Sequence, residues 1–332
     1  MDLSVSYLGL KLAHPLMPGA SPLVDNLDTV RQLEDAGASA IVMHSLFEEQ
    51  ISGEHLASIY HMEMFANSYA EASSFFPGRD EFALAPDEYL LHVGRIKRAV
   101  SVPVIASLNG CTLGGWIEHA KMIEQAGADA LELNVYHLAT DPVESGAAIE
   151  QRVLDVARAV KAAVQIPVAI KLSPFFSSLT NLCCQLNDLG VDGVVLFNRF
   201  YQPDVDLEQL DAVPKLHLSD PTELPLRLRW TAIIAPHLLG SVAISGGVHS
   251  GADAVKAVMV GASAVQVVSA LLRHGPRHLR TMHSAMKEWM EQNDYSSLRL
   301  MQGCMSHSRC PDPQAFERAN YMRVLQSWRA SH

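Results

Sequence analysis

The sequence predicts a (β/α)8 barrel, and two patterns in it carry that prediction. Four times an amphipathic stretch passes through a Gly-centred turn into a short apolar run. The turns are Ala36-Gly37-Ala38-Ser39-Ala40, Ala126-Gly127-Ala128-Asp129-Ala130, Leu189-Gly190-Val191-Asp192-Gly193 and Val260-Gly261-Ala262-Ser263-Ala264. Glycine just past a helix end takes the left-handed conformation that closes the last turn, and the small residues after it let the chain reverse into a strand. The runs themselves are rich in β-branched residues and apolar on consecutive positions, which marks parallel strands covered on both faces. Strands that alternate with helical periods give β-α units with right-handed crossovers, and eight such units close on themselves. A doubly wound open sheet is disfavoured, because no Gly-x-Gly-x-x-Gly follows the first run.

In chain order, residues 1–14 read as a hairpin that closes the barrel floor. The first strand is 16–20, and the others are 41–43, 104–108, 130–135, 168–172, 194–197, 242–245 and 264–268. Ser101-Val102-Pro103-Val104 and Gln165-Ile166-Pro167-Val168 place proline at the first strand residue, where its missing N–H breaks no ladder bond. Helical spacing joins Ile149, Val153, Val156, Val160 and Val164, then Leu179, Leu182, Cys183 and Leu186, then Val255, Val258 and Met259. Ser250 to Asp253 resembles a capping box. Two long connections follow strands and belong over the C-terminal mouth. One runs from His44 to Ala85, with Tyr60 and Phe75-Phe76 as lid or dimer-surface candidates; the other runs from Arg199 to about Pro225 with four prolines. Residues 1–302 make the barrel, and 303–332 a tail packed on or beside it.

Composition removes other classes. The chain has 332 residues, 48% apolar and 18% charged, too hydrophobic for disorder. With 36 acidic against 25 basic residues its net charge is −11, and no Lys/Arg run offers a nucleic-acid surface. No 18-residue uncharged apolar run is present, so no membrane-spanning helix is expected. The N-terminus lacks the basic and apolar regions of a signal peptide, and five irregularly spaced cysteines suit reduced thiols. Both favour the cytoplasm.

Chemistry in such a barrel comes from the C-terminal strand ends. Here these are His44-Ser45, Asn109, Asn134, Lys171, Asn198, Ser245 and Ser269, polar groups on apolar strands. Burying each without a partner costs roughly 1–3 kcal/mol, so the ring of them suits a polar ligand or an open, wet mouth. Lys171 is the only charge in its strand; it needs an anion, a π-system or a covalent imine, unless it pairs with Glu132, the only acid within the fourth strand. Ser245-Gly246-Gly247 and Val268-Ser269-Ala270-Leu271 follow the last two strands, where barrels bind phosphate through backbone N–H groups at a helix N-terminus.

Taken in order, Asn67-Ser68, Glu132-Leu133-Asn134, Ala169-Ile170-Lys171-Leu172, Asn198, Ser245-Gly246-Gly247 and Val268-Ser269-Ala270-Leu271 resemble the dihydroorotate dehydrogenase family, closest to its soluble class 1 branch, over about residues 1–300. The resemblance implies an FMN-binding TIM barrel, a homodimer, and hydride transfer from a dihydropyrimidine-like substrate to flavin N5. It implies that Lys171 contacts the flavin ring and that Ser245, Gly246, Gly247, Val268 and Ser269 cradle the FMN phosphate. Ala20 and Ser21 would lie under the flavin, and Asn67, Asn134 and Asn198 would bond the flat substrate or the flavin.

Four positions depart from the family pattern. The branch's cysteine base is replaced by His137, a second asparagine by Ala139, and the lysine that grips the substrate carboxylate by His44; Arg199 follows Asn198 where serine is usual. Histidine can serve as base near neutral pH, so His137 is the expected base and Arg199 a candidate for the substrate anion. Two other functions stay open: a non-redox aldolase or isomerase using Lys171, and a catalytically altered FMN-binding paralogue. Cys304, His307 and Cys310 sit close enough in sequence to raise zinc, but not in a common zinc spacing, and no metal is expected. No Fe–S ligand set is evident. Cys183-Cys184 reads as core, and Cys111 as a small buried residue at the mouth of the third strand.

Overall fold

A computed structural model describes residues 1–48, 86–110, 112–199, 204–208, 211–213 and 216–327. The barrel strands are β3 (Leu16–Pro18), β4 (Ile41–Phe47), β5 (Val104–Asn109), β6 (Ala130–Asn134), β7 (Val168–Leu172), β8 (Gly193–Leu196), β11 (Ser241–Ser245) and β12 (Ala264–Val267). They form one parallel eight-stranded sheet in the order β3-β12-β11-β8-β7-β6-β5-β4. The seam between β4 and β3 is bridged by Ser39, whose N–H and hydroxyl both donate to Leu16 O, at 3.1 and 2.7 Å. The result is a nearly closed (β/α)8 barrel with helices outside.

The repeats explain the closure. Gly37, Gly127, Gly190 and Gly261 all have positive φ, as a left-handed helix end requires. Beyond two of them an aspartate reaches back to hold the preceding unit. Asp129 Oδ2 accepts Val104 N–H at 2.7 Å and Lys97 Nζ at 2.6 Å. Asp192 Oδ2 accepts Val168 N–H at 2.7 Å and Lys161 Nζ at 2.6 Å. One carboxylate thus satisfies the first N–H of a strand and the lysine at the end of the helix before it.

Beneath the barrel lies the hairpin of β1 (Val5–Tyr7) and β2 (Leu10–Leu12). Leu8 N–H donates to Ser241 Oγ at 3.0 Å, and a Cβ on Gly193 would meet Leu8 Cδ2 at 2.7 Å, so glycine there lets the floor seat against the strand starts. Outside are α1 (Leu27–Asp35), α2 (Pro86–Ala99), α3 (Leu113–Gln125), α4 (Gly146–Ala163), α5 (Leu179–Asp188), α6 (Leu224–Ile234), α7 (Gly251–Met259), the short α8 (Ser269–His274) and α9 (His278–Gln292). The capping box at Ser250 and Asp253 is formed in full. Cys183 is fully buried, and burial pushes its thiol up to about 12.

Most strand ends fall within one residue of expectation, and three readings change by more. The first strand stops at Pro18 rather than reaching Ala20. The second runs on to Phe47, so His44 and Ser45 lie within it, because a register shift carries the pairing onward. The stretch from Arg199 to Pro225 is more than a loop: β9 (Asp204–Asp206) and β10 (Asp211–Val213) pair antiparallel within it. After α10 (Leu298–Met301), Gly303 and Met305 donate to Val258 O and Met259 O at 3.1 and 2.8 Å; α11 (Pro313–Gln326) follows. Among the described residues no helix is long and apolar enough to cross a membrane.

Candidate active site

At the C-terminal end of the barrel three groups of polar side chains meet. The deepest is Glu132, Lys171 and Gln266, from β6, β7 and β12. Lys171 Nζ donates to Glu132 Oε1 at 3.0 Å and to Gln266 Oε1 at 3.3 Å, and Gln266 Nε2 donates to Glu132 Oε2. Glu132 is fully buried and Gln266 1% exposed, so each polar atom must find its partner inside the barrel. Of the partners the sequence left open for Lys171, the structure shows this anion.

Above them Asn198 Nδ2 donates to Asn134 Oδ1, and Asn134 Nδ2 to Ser45 Oγ at 3.4 Å. Ser45 and Ser107 share a hydroxyl–hydroxyl bond of 2.7 Å. Asn198 is held at the mouth by its backbone, whose N–H donates to Leu172 O at 2.7 Å. The predicted Asn134 and Asn198 therefore come together. Asn67, Tyr60, Phe75, Phe76 and Cys111 lie outside the described residues.

The third group faces the ends of β11 and β12. Gly246 and Gly247 have φ of +92° and +79°. A Cβ on Gly247 would stand 2.5 Å from Leu224 N, and one on Gly246 2.8 Å from an Arg227 terminal nitrogen, so only glycine fits either place. Ser269 Oγ accepts from both Ser219 N–H and Ser219 Oγ, at 3.0 and 2.7 Å, and Gly247 N–H donates to Ser219 Oγ at 3.3 Å. Val268, with φ −123° and ψ −70°, leads into α8. Arg227, 4% exposed, donates Nε to Ser245 O at 2.7 Å and approaches Glu223, which also faces Arg199 at 3.5 Å. Burial lowers the Arg227 guanidinium below its ordinary value, opposed by Glu223.

The two histidines part company. His44 Nδ1 lies 2.6 Å from Asp25 Oδ1. His137 Nε2 lies 3.1 Å from an Arg152 nitrogen and 3.5 Å from Glu144 Oε2, beside a cavity of about 1310 Å³ bordered by Val135 and Phe176. Ser21, next to Ala20 just beyond β3, is 5% exposed, and its buried hydroxyl has no partner among the described residues. Among the described residues no three His, Cys, Asp or Glu side chains are grouped to hold a metal.

Residues 2–290 match the family described as dihydroorotate dehydrogenase. The chain belongs to the dihydroorotate dehydrogenase family. Its relatives include the catalytic subunit of dihydroorotate dehydrogenase B (NAD(+)) from Thermoplasma acidophilum, 28% identical over 308 residues, covering 91% of this chain and 98% of that protein. The protein of the same name from Methanocella arvoryzae is 30% identical over 287 residues, 82% of this chain and 87% of that one. PreA of Escherichia coli K12, a subunit of NAD-dependent dihydropyrimidine dehydrogenase, is 24% identical over 332 residues, 93% of this chain and 78% of that one. The family and these relatives are dehydrogenases by name, which places the chain among oxidoreductases.

Within this cluster of polar groups, sequence reasoning missed Asp25, Ser219, Arg227 and Gln266. Gln266 carried a signal, a lone amide inside Ala264-Val265-Gln266-Val267. Ser219 carried none: it comes from a proline-broken connection, and only the folded chain lays it against Ser269 and Gly247.

Proposed function

We propose that the chain is an FMN-dependent dehydrogenase that oxidises a CH–CH bond of dihydroorotate or a related dihydropyrimidine. One observation carries the reading: a glycine cradle that admits no Cβ stands at the ends of β11 and β12, while a buried lysine and a pair of bonded asparagines crown the neighbouring strands. The relatives' names supply the substrate class, since both dihydroorotate and dihydropyrimidine dehydrogenases are among them.

The residues fit FMN. Gly246, Gly247 and Ser269, with Ser219, would hold a phosphate near the start of α8 by exchanging the bonds they make to one another for bonds to it. Ser21, with Ala20 beside it, has a buried hydroxyl that lacks a partner among the described residues and would suit the ring. Lys171 brings a cation to the pyrimidine edge, neutralised at rest by Glu132. Bound FMN supplies the two-electron acceptor; the protein's part is to bind, orient and move a proton. Asn134 and Asn198 present amides to a flat, amide-bearing ring. Arg199 or His44 faces its carboxylate, a role the resemblance gives to a lysine. Proton removal falls to a histidine at the mouth, which the resemblance places at His137. The working form is a cytoplasmic homodimer. Membership in a family of dehydrogenases favours this reading over imine chemistry on Lys171.

The test is the visible spectrum of the purified chain, followed by anaerobic titration with dihydroorotate, dihydrouracil and dihydrothymine. A yellow protein bleached by one of these supports the reading. A colourless chain that refuses FMN when offered it refutes the reading.

A further inference from the structure

The pairing of β4 with β5 slips at the mouth. Val42 stands opposite Ile105 and Ser45 opposite Ser107, so Met43 and His44 together face Ala106 alone. Such a bulge breaks the regular alternation and re-aims a side chain, and bulges gather beside active sites. Here it sends consecutive residues to different tasks. Ser45 turns to Ser107 and Asn134. His44 turns to Asp25, on the connection after β3, with Nδ1 2.6 Å from Oδ1.

The environment of that imidazole is asymmetric. Nδ1 and Asp25 Oδ1 are both shut off from solvent and stand 2.6 Å apart, yet neither makes an in-line hydrogen bond, to the other or to any other described group. The side chain keeps 17% exposure, and among the described residues no hydrogen bond engages Nε2. On one side the Tyr89 ring stands edge-on, its centroid 5.2 Å away at 74°. The Tyr89 hydroxyl in turn braces the strand opposite the bulge: it donates to Ser107 O at 3.0 Å and accepts from Ser107 N–H at 3.1 Å. One ring nitrogen therefore meets a carboxylate and one flank is walled, on a strand whose next residue, Ser45, joins the asparagine pair.

We infer that Asp25 and His44 are the proton-transfer pair of this site, with Asp25 as positioning residue and His44 Nε2 as proton acceptor. The inference rests on the dehydrogenase reading and moves its base from His137 to His44, which leaves the substrate carboxylate to Arg199. A carboxylate against Nδ1 makes that nitrogen the N–H and leaves Nε2 its lone pair, the form a base needs. The substrate carbon then gives its proton to Nε2 while a hydride leaves the adjacent carbon for the two-electron oxidant, a flavin under that reading. A C=C bond forms between the two carbons, and the resulting imidazolium rests against Asp25. His137 is differently placed: an Arg152 N–H group faces its Nε2 at 3.1 Å, so the lone pair is already engaged, and its side chain is 39% exposed.

Two readouts test the pair. Long-range ¹⁵N–¹H spectra of histidine-labelled protein, with His44 assigned by its loss in His44→Gln, should show His44 protonated on Nδ1. In Asp25→Asn, whose amide can donate to Nδ1, the proton should move to Nε2. In anaerobic stopped flow with whichever of dihydroorotate, dihydrouracil or dihydrothymine bleaches the wild type, His44→Gln should slow bleaching by at least about 100-fold while the protein keeps its yellow colour. An Nε2–H tautomer in the wild type overturns the inference. So does wild-type bleaching by flavin-loaded His44→Gln, with His137→Ala the variant that stops it. Refusal of FMN by the wild type would instead sink the dehydrogenase reading, and the tautomer in the same sample would still decide whether the pair exists.

Discussion

Lys171 Nζ donates to Glu132 Oε1 across 3.0 Å, with the carboxylate side chain wholly buried and the lysine side chain 8% exposed. Such a pair contributes little net stability over an apolar one, but breaking it is expensive, because the surviving charge stays in the barrel without its counterion.

Lys171→Met should therefore cost about 3–5 kcal/mol of folding free energy. The double variant Lys171→Met with Glu132→Gln should recover much of that loss, since the amide removes the orphaned charge. Urea denaturation of the two single variants and the double variant measures both, and an additive double variant would refute the coupling.

Gly247→Ala should be worse than an ordinary glycine substitution. At φ +79° any side chain is strained, and the new Cβ would lie 2.5 Å from backbone at Leu224. The expected loss exceeds about 1 kcal/mol, with a fall in FMN bound per chain, read from the visible absorbance of matched preparations. Gly246→Ala should be milder in packing, because the atom it meets ends the Arg227 side chain.

Asp192→Ala should cost about 1–3 kcal/mol, chiefly by leaving Val168 N–H without its acceptor at the start of β7. The lysine partner matters less, because Lys161 is part-exposed. Lys161→Ala alone should therefore lower the urea midpoint far less than Asp192→Ala.

Acid should loosen the barrel seam through His14. Its Nε2–H donates to Gly37 O at 2.6 Å, and its Nδ1 accepts Leu16 N–H at 3.2 Å, so both nitrogens are committed in the neutral ring. Burial, with His283 stacked at 4.3 Å, lowers its pKa from 6.5 to about 4. The folded state thus holds fewer protons than the unfolded chain between those values. The stabilisation is fully present above pH 6.5 and is lost as pH falls toward 4, on the order of 3 kcal/mol in all. Chemical denaturation of wild type and His14→Gln at pH 7.5 and 5 should show a smaller acid loss in the variant; equal losses would remove His14 from the cause.

Much of the barrel was legible because its determinants are local. A glycine past a helix end, a proline at a strand start and a valine every turn act over a few residues, and Gly37, Gly127, Gly190 and Gly261 did what their neighbours demanded. The antiparallel ribbon at Asp204 and Asp211 was not legible, since three-residue strands are too short to establish a hydrophobic period.

The sequence by itself determined that eight covered strands alternate with helices, that polar residues end those strands, and that a glycine pair follows the seventh. Only the tertiary structure decided which polar groups meet. Glu132, Lys171 and Gln266 are brought together by strand register across separations of 39, 95 and 134 residues, and the turn of His44 toward Asp25 follows from a one-residue slip between β4 and β5. Side chains alternate along a strand, so a single step in pairing redirects a group from one neighbour to another, and that step is set by distant chain that no local pattern encodes.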